Sequence, residues 1–231
     1  MGTFRFKQFA VNQDGAAMKV GTDGVLLGAW AGCADADSVL DIGTGTGVIA
    51  LLLAQRSGAR HIVGVDIDRA AVECAAANFA ASPWAERLVA VESSAQEFRG
   101  EKFDLILSNP PYFVDSLLSP DAQRTVARHT TELTFEALDE AVCRLLAEDG
   151  RFALILPTEQ MERYLSVTKL HLVRRCDVIT LLGGAVKRVM AELSAVAVAD
   201  VVQESIVIEN GARGDYNSQY RELTKDFYLK F

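Results

Sequence analysis

The sequence predicts an α/β protein: a doubly wound, mostly parallel sheet, closed along one edge by antiparallel strands and preceded by a short extension. Three observations predict it. From Ser38 to Pro157, short apolar runs alternate with helical stretches at a spacing that implies right-handed crossovers. After residue 170 the texture changes, and β-rich segments follow one another with no helix of usable length between them. No repeat, linker or low-complexity tract interrupts the 231 residues, half of which are apolar, so one domain with a full core is the simplest organisation. Residues 1–37 then form an N-terminal extension packed on a core of residues 38–231.

In chain order, Phe4-Arg5-Phe6-Lys7-Gln8-Phe9 alternates apolar and polar with period two and reads as a half-buried strand. Residues 25–31 suggest a short helix capped by Thr22 or Asp23. Glycines on either side of that pair would let a ligand approach the backbone closely. Val39-Leu40-Asp41-Ile42 is the first core strand; it runs into Gly43-Thr44-Gly45-Thr46-Gly47 and a helix through residues 48–54. His61-Ile62-Val63-Gly64-Val65-Asp66 is the second strand, ending in an acid. An alanine-rich helix over residues 70–81 follows, favoured by intrinsic propensity. Ser82-Pro83-Trp84 interrupts it, and Leu88-Val89-Ala90-Val91 is the third strand.

The fourth strand, Leu105-Ile106-Leu107, runs into Ser108-Asn109-Pro110-Pro111-Tyr112-Phe113. Two adjacent prolines cannot continue a strand, because neither has an N–H to donate. The residue before a proline is held extended, so Asn109 is presented at the strand end in a nearly fixed pose. A helix over residues 133–147 ends at Asp149-Gly150, with Gly150 suited to a left-handed C′ position. Phe152-Ala153-Leu154-Ile155-Leu156-Pro157 is the fifth strand. Residues 172–182, 190–200 and 201–208 are the antiparallel edge, and the tail is a short capped helix with an aromatic end.

The formal net charge of −8 counts against a large nucleic-acid footprint, since neutralising phosphates needs a basic excess. A local basic patch remains compatible with it, because charges act within a Debye length of ~8 Å. The longest apolar run, residues 48–54, falls well short of the about 20 residues of a membrane span. Charged residues stand near the N-terminus where an export signal needs an apolar core. Cys33, Cys74, Cys143 and Cys176 are isolated, which argues against a zinc site or a disulfide framework. The expectation is a cytoplasmic protein without metal, membrane or evident protein partner.

Ligands of open α/β sheets bind at the carboxyl ends of the strands. Three features fall there. Gly43, Gly45 and Gly47 allow a tight turn that brings ligand atoms against backbone N–H groups. Val48 stands where a dinucleotide fingerprint needs its last glycine, which disfavours a pyrophosphate site and a nicotinamide oxidoreductase. Asp66, nineteen residues beyond Gly47, is placed to accept from a ribose diol; the alternative is that it caps the next helix. Asn109 offers an amide donor and acceptor beside the Tyr112 ring, which suits chemistry on an exocyclic amine of a planar base. The alternative is a strand ending in a tight turn.

Asp41 to Gly47, Asp66 and Asn109-Pro110-Pro111-Tyr112 resemble the signature of S-adenosylmethionine-dependent amino-methyltransferases. The chain is more closely similar to the bacterial valine-tRNA adenine-N6 methyltransferases. That resemblance is carried by Phe4-Arg5-Phe6-Lys7, Met18 to Gly24, Asn78 with Ser82-Pro83-Trp84, Ser108 to Phe113, Arg128-His129, Lys187-Arg188-Val189 and Tyr216 to Phe231. It implies a Rossmann-like class I methyltransferase fold, with a seven-stranded, mostly parallel sheet and an antiparallel edge hairpin. It implies S-adenosylmethionine as cofactor and, as substrate, the adenosine just 3′ of the anticodon in a valine tRNA.

The roles it implies are these. Asp41, Gly43, Thr44, Gly45 and Gly47 hold the methionine end of the cofactor, with Lys19 or Thr22 closing over it. Asp66 takes the ribose hydroxyls, Ile67 packs on the adenine, and Ser94-Ala95-Gln96 contacts the adenine amino edge, though without the acidic residue common there. The Asn109 side chain and the Pro110 carbonyl grip the acceptor amine, Pro111 stiffens the turn and Tyr112 stacks on the flipped base, a contact of about 1–3 kcal/mol. Candidate RNA contacts are Arg5, Lys7, Arg128, His129, Lys187 and Arg188, with Arg124, Lys225 and Lys230 as further cations.

The same four-residue motif also serves glutamine methyltransferases of release factors and guanine-N2 methyltransferases of ribosomal RNA. About 37 residues precede the first core strand, too few for the N-terminal helical domain usual in the glutamine enzymes. A nucleoside-binding module without catalysis would have no need of Asn109-Pro110-Pro111-Tyr112.

Overall fold

A computed structural model describes residues 2–14, 18–110 and 133–230. Five strands run parallel at its centre: β3 (Ser38–Ile42), β4 (His61–Asp66), β5 (Leu88–Glu92), β6 (Phe103–Ser108) and β7 (Leu146–Pro157). β9 (Val186–Ser194) pairs antiparallel with β7, and β8 (His171–Leu181) pairs antiparallel with β9. β10 (Val202–Glu209) lies parallel beside β8. The order across the sheet is β10-β8-β9-β7-β6-β3-β4-β5. A separate two-stranded sheet joins β1 (Thr3–Arg5) to β2 (Ala10–Asn12).

The main sheet therefore has eight strands, as many as the five core and three edge segments read from the sequence, instead of the seven that the resemblance implies. The hairpin of β8 and β9 inserts its second arm against β7, which leaves the outer edge of β8 open, and β10 covers that edge. In the central strands, alternate residues serve opposite faces. Val39, Leu105 and Leu107 join the core on one side, and Leu40, Ile42 and Ile106 join the core on the other. The first core also takes α1 (Thr22–Trp30), α2 (Val48–Arg56) and the tail helix α6 (Ser218–Thr224), with Ala75 and Phe79 of α3 (Arg69–Ala80). The second takes α4 (Phe135–Leu145) and α5 (Thr158–Val167). Residues 48–54, the longest apolar run, are all buried because α2 is covered on every side. No helix among the described residues is long and apolar enough to cross a membrane.

Two arginines finish helices whose following glycines, Gly32 and Gly58, do not take the left-handed conformation of a glycine stop. Arg56 donates to the Gly28 and Ala31 carbonyls at the end of α1, at 2.7 and 3.0 Å. Arg87 donates to the Ala54 carbonyl at the end of α2, at 2.7 Å, and to those of Ser57 and Ala59 beyond it. Each places a cation where the helix leaves unpaired carbonyls.

Four local expectations change. The strand expected over residues 4–9 ends at Arg5, and a turn in which Phe6 N–H donates to the Phe9 carbonyl at 2.9 Å leads into β2. Gly21, not Thr22 or Asp23, is the N-cap of α1, and no side chain caps that end. Asp23 turns instead to Arg188, which donates to it at 2.9 Å. The helix expected over residues 133–147 stops at Leu145, because Leu146 is already extended (φ −75°, ψ 134°) and opens β7 without a loop. Gly150 thus lies within a strand and is absent from the positive-φ glycines. The register slips beside it: Phe103 faces Leu146 whereas Leu105 faces Arg151, so β7 bulges over residues 147–150. The expected strand over residues 190–200 is shifted to Val186–Ser194.

The chain ends meet. The Lys7 N–H donates to the Phe227 carbonyl at 2.8 Å, and Phe6 bridges Tyr228. Their rings stack at 5.9 Å, Phe9 stacks on Phe6 at 4.6 Å, and Trp84 meets Phe9 edge-on at 5.7 Å. The Ser82-Pro83-Trp84 break in the helical pattern thus supplies the ring on which the N-terminal sheet rests.

Candidate active site

The site is built on three neighbouring strands, β6, β3 and β4. Ile42 of β3 pairs with Ser108 on one side and with Val65 on the other. The next residue along each strand is therefore at one level: Asn109 on β6, Gly43 on β3 and Asp66 on β4. Strands lie about 4.8 Å apart, so the three positions span roughly 10 Å. The chain leaves β3 toward β4 and β5 and returns on the other side as β6, which makes the gap between β3 and β6 the switch point of the sheet.

The glycine loop is held from below. Gly43 and Thr44 N–H donate to the Val65 carbonyl at 2.9 and 3.0 Å. Gly43, Gly45 and Gly47 all take left-handed φ values of 74°, 55° and 78°. Among the described residues nothing lies within 4 Å of a Cβ built on Gly43 or Gly45, which leaves their backbone the room that a ligand cradle requires. Gly47 is different. A Cβ there would fall 2.4 Å from the Phe79 ring, so this glycine lets α3 pack against the start of α2.

Asp41 is fully buried beneath the loop. The Thr44 hydroxyl donates to its Oδ2 at 2.7 Å, whereas Oδ1 has no hydrogen-bond partner among the described residues. Burial pushes the carboxyl up to about 7 and the Asp66 charge adds to it, although the Thr44 hydroxyl and the Ala50 backbone pull the other way. A buried carboxylate oxygen without a donor fits an ammonium group.

Asp66 accepts from the Gly45 N–H through Oδ2 at 2.9 Å and from the Asp68 N–H through Oδ1 at 3.0 Å. Asp68, not Asp66, caps α3, accepting from Ala70 N–H at 3.0 Å. Asp66 therefore ties the glycine loop to the turn after β4, and each oxygen keeps a further lone pair for a hydroxyl. Ile67 beside it is 55% exposed, an apolar face at the mouth of the crevice.

The loop after β5 forms the adjoining wall. Ser93 N–H donates to the Asp66 carbonyl at 2.9 Å. Ala95 is buried, Ser94 is half-buried and Gln96 is exposed. Arg144 of α4 donates to the Ala95, Gln96 and Phe98 carbonyls at 2.9, 3.3 and 2.7 Å, which fixes the loop from outside. Nothing in the spacing of the sequence links Arg144 to residues 95–98.

On the acceptor side, the Ser108 hydroxyl donates to the Ile42 carbonyl at 3.0 Å and locks β6 to β3 just before Asn109. Asn109 is half-buried and Pro110 buried. Gly24 of α1 packs beside Asn109: a Cβ on it would lie 3.8 Å from Asn109 Nδ2. Pro111, Tyr112, Arg124, Arg128 and His129 lie outside the described residues.

The N-terminal sheet is clamped to this site by Asn78, a residue that local pattern reading leaves without a role. Its buried amide donates to the Asn12 and Thr46 carbonyls at 2.9 Å each and accepts from Asn12 N–H at 2.8 Å. Lys19 and Thr22, expected to close over the cofactor, are exposed, and Thr22 is the first residue of α1. Among the candidate RNA contacts, Arg5 and Lys187 are exposed, the Lys7 ammonium donates to the Lys225 carbonyl at 2.6 Å, and Arg188 is engaged with Asp23. The structure thus groups Asp41, the glycines, Asp66, Ile67, the 94–96 loop and Asn109 in one crevice and draws Arg188 into an internal ion pair.

The methyltransferase small domain family matches this chain over residues 25–162. A relative from Bacteroides thetaiotaomicron is 45% identical, covering 98% of this chain and 97% of its own. One from Phocaeicola vulgatus is 47% identical with the same coverage, and one from Aeromonas hydrophila subsp. hydrophila is 46% identical, again covering 98% and 97%. All three are named tRNA1(Val) (adenine(37)-N6)-methyltransferase. Among solved structures, a predicted O-methyltransferase from Agrobacterium tumefaciens superposes with a TM-score of 0.69 at 15% identity, covering 89% of this chain and 96% of that one. A ribosomal protein L11 methylase from Lactobacillus delbrueckii subsp. bulgaricus gives 0.53 at 19% identity, covering 78% and 82%. These two likenesses establish the Rossmann-like methyltransferase fold.

Proposed function

The chain belongs to the methyltransferase small domain family, among the tRNA1(Val) (adenine(37)-N6)-methyltransferases, and from that premise we propose its reaction. It transfers the methyl group of S-adenosylmethionine to the N6 amine of an adenosine in tRNA, the one 3′ of the anticodon in a valine tRNA. The observation that carries this reading is the shared level of Gly43, Asp66 and Asn109 on three adjacent strands, above an Asp41 oxygen with no hydrogen-bond partner among the described residues.

The cofactor, when bound, supplies an electrophilic methyl on a sulfonium. Asp41 and the loop glycines would hold its amino-acid end, Asp66 the ribose hydroxyls, Ile67 the face of the adenine, and Ser94, Ala95 and Gln96 its edge. On the other side of the gap, the acceptor amine is a poor nucleophile because its lone pair is delocalised into the ring. The Asn109 side-chain oxygen and the Pro110 carbonyl would accept its two hydrogens and hold it pyramidal, aimed across the crevice. This is positioning by fixed dipoles, without a strong general base. The proton leaves to water once the nitrogen is cationic. Tyr112 would stack on the base, with Arg5 and Lys187 as exposed cations for phosphate.

The test is incubation of the purified protein with methyl-labelled S-adenosylmethionine and bulk tRNA, followed by nucleoside analysis. Label in N6-methyladenosine is the expected result. Label recovered in protein instead would refute the RNA reading in favour of glutamine methylation.

A further inference from the structure

We propose that Arg188 is a positioning residue for the acceptor site, acting through Asp23, and is not an RNA contact. The inference rests on the reading that Asn109 grips the acceptor amine. Arg188 Nε donates to Asp23 Oδ2 at 2.9 Å, an ion pair between residues 165 apart whose side chains are only 30% and 23% exposed. Burial of that degree sets it apart from Arg60–Asp37, where the side chains are 81% and 51% exposed.

Its placement gives the pair a task. Asp23 is the second residue of α1, and Gly24 follows it, buried. A Cβ on Gly24 would stand 3.5 Å from Val48, 3.7 Å from Ile49 and 3.8 Å from Asn109 Nδ2. The first turn of α1 therefore borders both the start of the glycine-loop helix and the acceptor amide, about a methyl group's width from each. No side chain caps that turn locally, since its N-cap is Gly21. The ion pair to Arg188 ties it to β9. Arg188 sits on β9 opposite Pro157, at the end of β7, and β7 is the neighbour of β6. The guanidinium thus ties this turn to the strand ends beside β6, which presents Asn109. Breaking the pair frees this turn to shift where it borders Asn109, whereas Asp41 is held by the Thr44 hydroxyl and Asp66 by the Gly45 and Asp68 N–H groups. A displacement of about 1 Å at a reacting centre is enough to cost up to ~100-fold in rate.

The experiment uses the full chain with tRNA as substrate, comparing Asp23→Asn, Arg188→Gln, the two combined, Arg188→Lys, and Arg60→Gln as a surface control. Asp23→Asn and Arg188→Gln are each expected to lower kcat by about 10- to 100-fold, and the combination by well under the product of the two, because the Asp23–Arg188 pair is lost in all three. The KM for tRNA and the calorimetric affinity for S-adenosylhomocysteine stay at wild-type values, Arg188→Lys recovers most of kcat, and Arg60→Gln changes nothing. Preserved cofactor affinity also establishes that the variants are folded. The proposal is overturned if Arg188→Gln raises the KM for tRNA with kcat intact while Asp23→Asn does not, the behaviour of a phosphate contact. It is equally overturned if the two single losses multiply in the combination, or if either variant loses cofactor affinity. A wild-type enzyme that methylates protein and not tRNA overturns the parent reading, and this one with it.

Discussion

Asp41 provides the sharpest physical test of the cofactor side, because its effect on stability has a predicted dependence on pH. Its ordinary value of 3.8 and its folded value of about 7 differ by about 3 pH units, at about 1.36 kcal/mol each. The sign follows from proton binding. Between the two values the folded protein holds the proton and the unfolded chain does not, so the ligand-free fold loses stability as pH rises through that window and levels off above about 7. Asp41→Asn removes the titration and keeps an acceptor for the Thr44 hydroxyl, so the variant gains on the wild type as pH rises. From pH 5 to pH 8 that gain grows by about 3 kcal/mol, or roughly 6–12 °C in Tm for a chain of this size. The amide placed at the Oδ1 position carries its own cost of about 1–3 kcal/mol, constant with pH, so the slope and not the absolute difference is the readout. The assay is thermal unfolding by circular dichroism at a series of pH values without cofactor. The same substitution removes the charge opposite an ammonium and should weaken S-adenosylhomocysteine binding at pH 8. A difference in Tm that does not change with pH would refute the argument that burial raises Asp41.

Asn109→Ala should abolish methyl transfer while calorimetry shows cofactor affinity unchanged; transfer near the wild-type rate would sink the acceptor role. Asp66→Ala should weaken cofactor binding by ~100-fold, the scale set by charge-assisted hydrogen bonds of about 1.5–3 kcal/mol each, and wild-type affinity in that variant would remove the ribose assignment. Gly47→Ala forces a left-handed φ of 78° on an L residue and drives its Cβ into Phe79. It should cost about 3 kcal/mol from strain and overpacking, read as a fall in Tm, and a neutral outcome would show that α3 can move aside.

The crevice was legible in the sequence because its parts are local. Glycines that need left-handed backbone, an acid at a strand end and an amide pinned by prolines each announce themselves within a few residues, and α/β alternation brings strand ends to one side of a sheet. What pattern reading missed depends on distance along the chain. Asp23 looked like a cap because Arg188, 165 residues away, is invisible to local spacing. Arg188 looked like a free cation for the same reason. Arg144 and Asn78 hold the walls of the site through backbone carbonyls, contacts that no residue type advertises. Gly150 was misread as a helix stop because a helix that passes directly into a bulged strand needs no left-handed residue. Residues 201–208 read as part of an antiparallel edge, yet β10 runs parallel to β8, because the chain passes across β8 from β9 before it pairs, a matter of assembly that local pattern does not encode.

The central claim is that this crevice methylates N6 of the adenosine 3′ of the anticodon. The most direct measurement is nuclease digestion and mass mapping of a valine tRNA transcript after reaction with S-adenosylmethionine, beside a transcript carrying guanosine at that position. The expected result is one added methyl in the anticodon-loop fragment of the first, on N6, and none in the second. Methyl groups elsewhere in the tRNA, or in both transcripts alike, would contradict it.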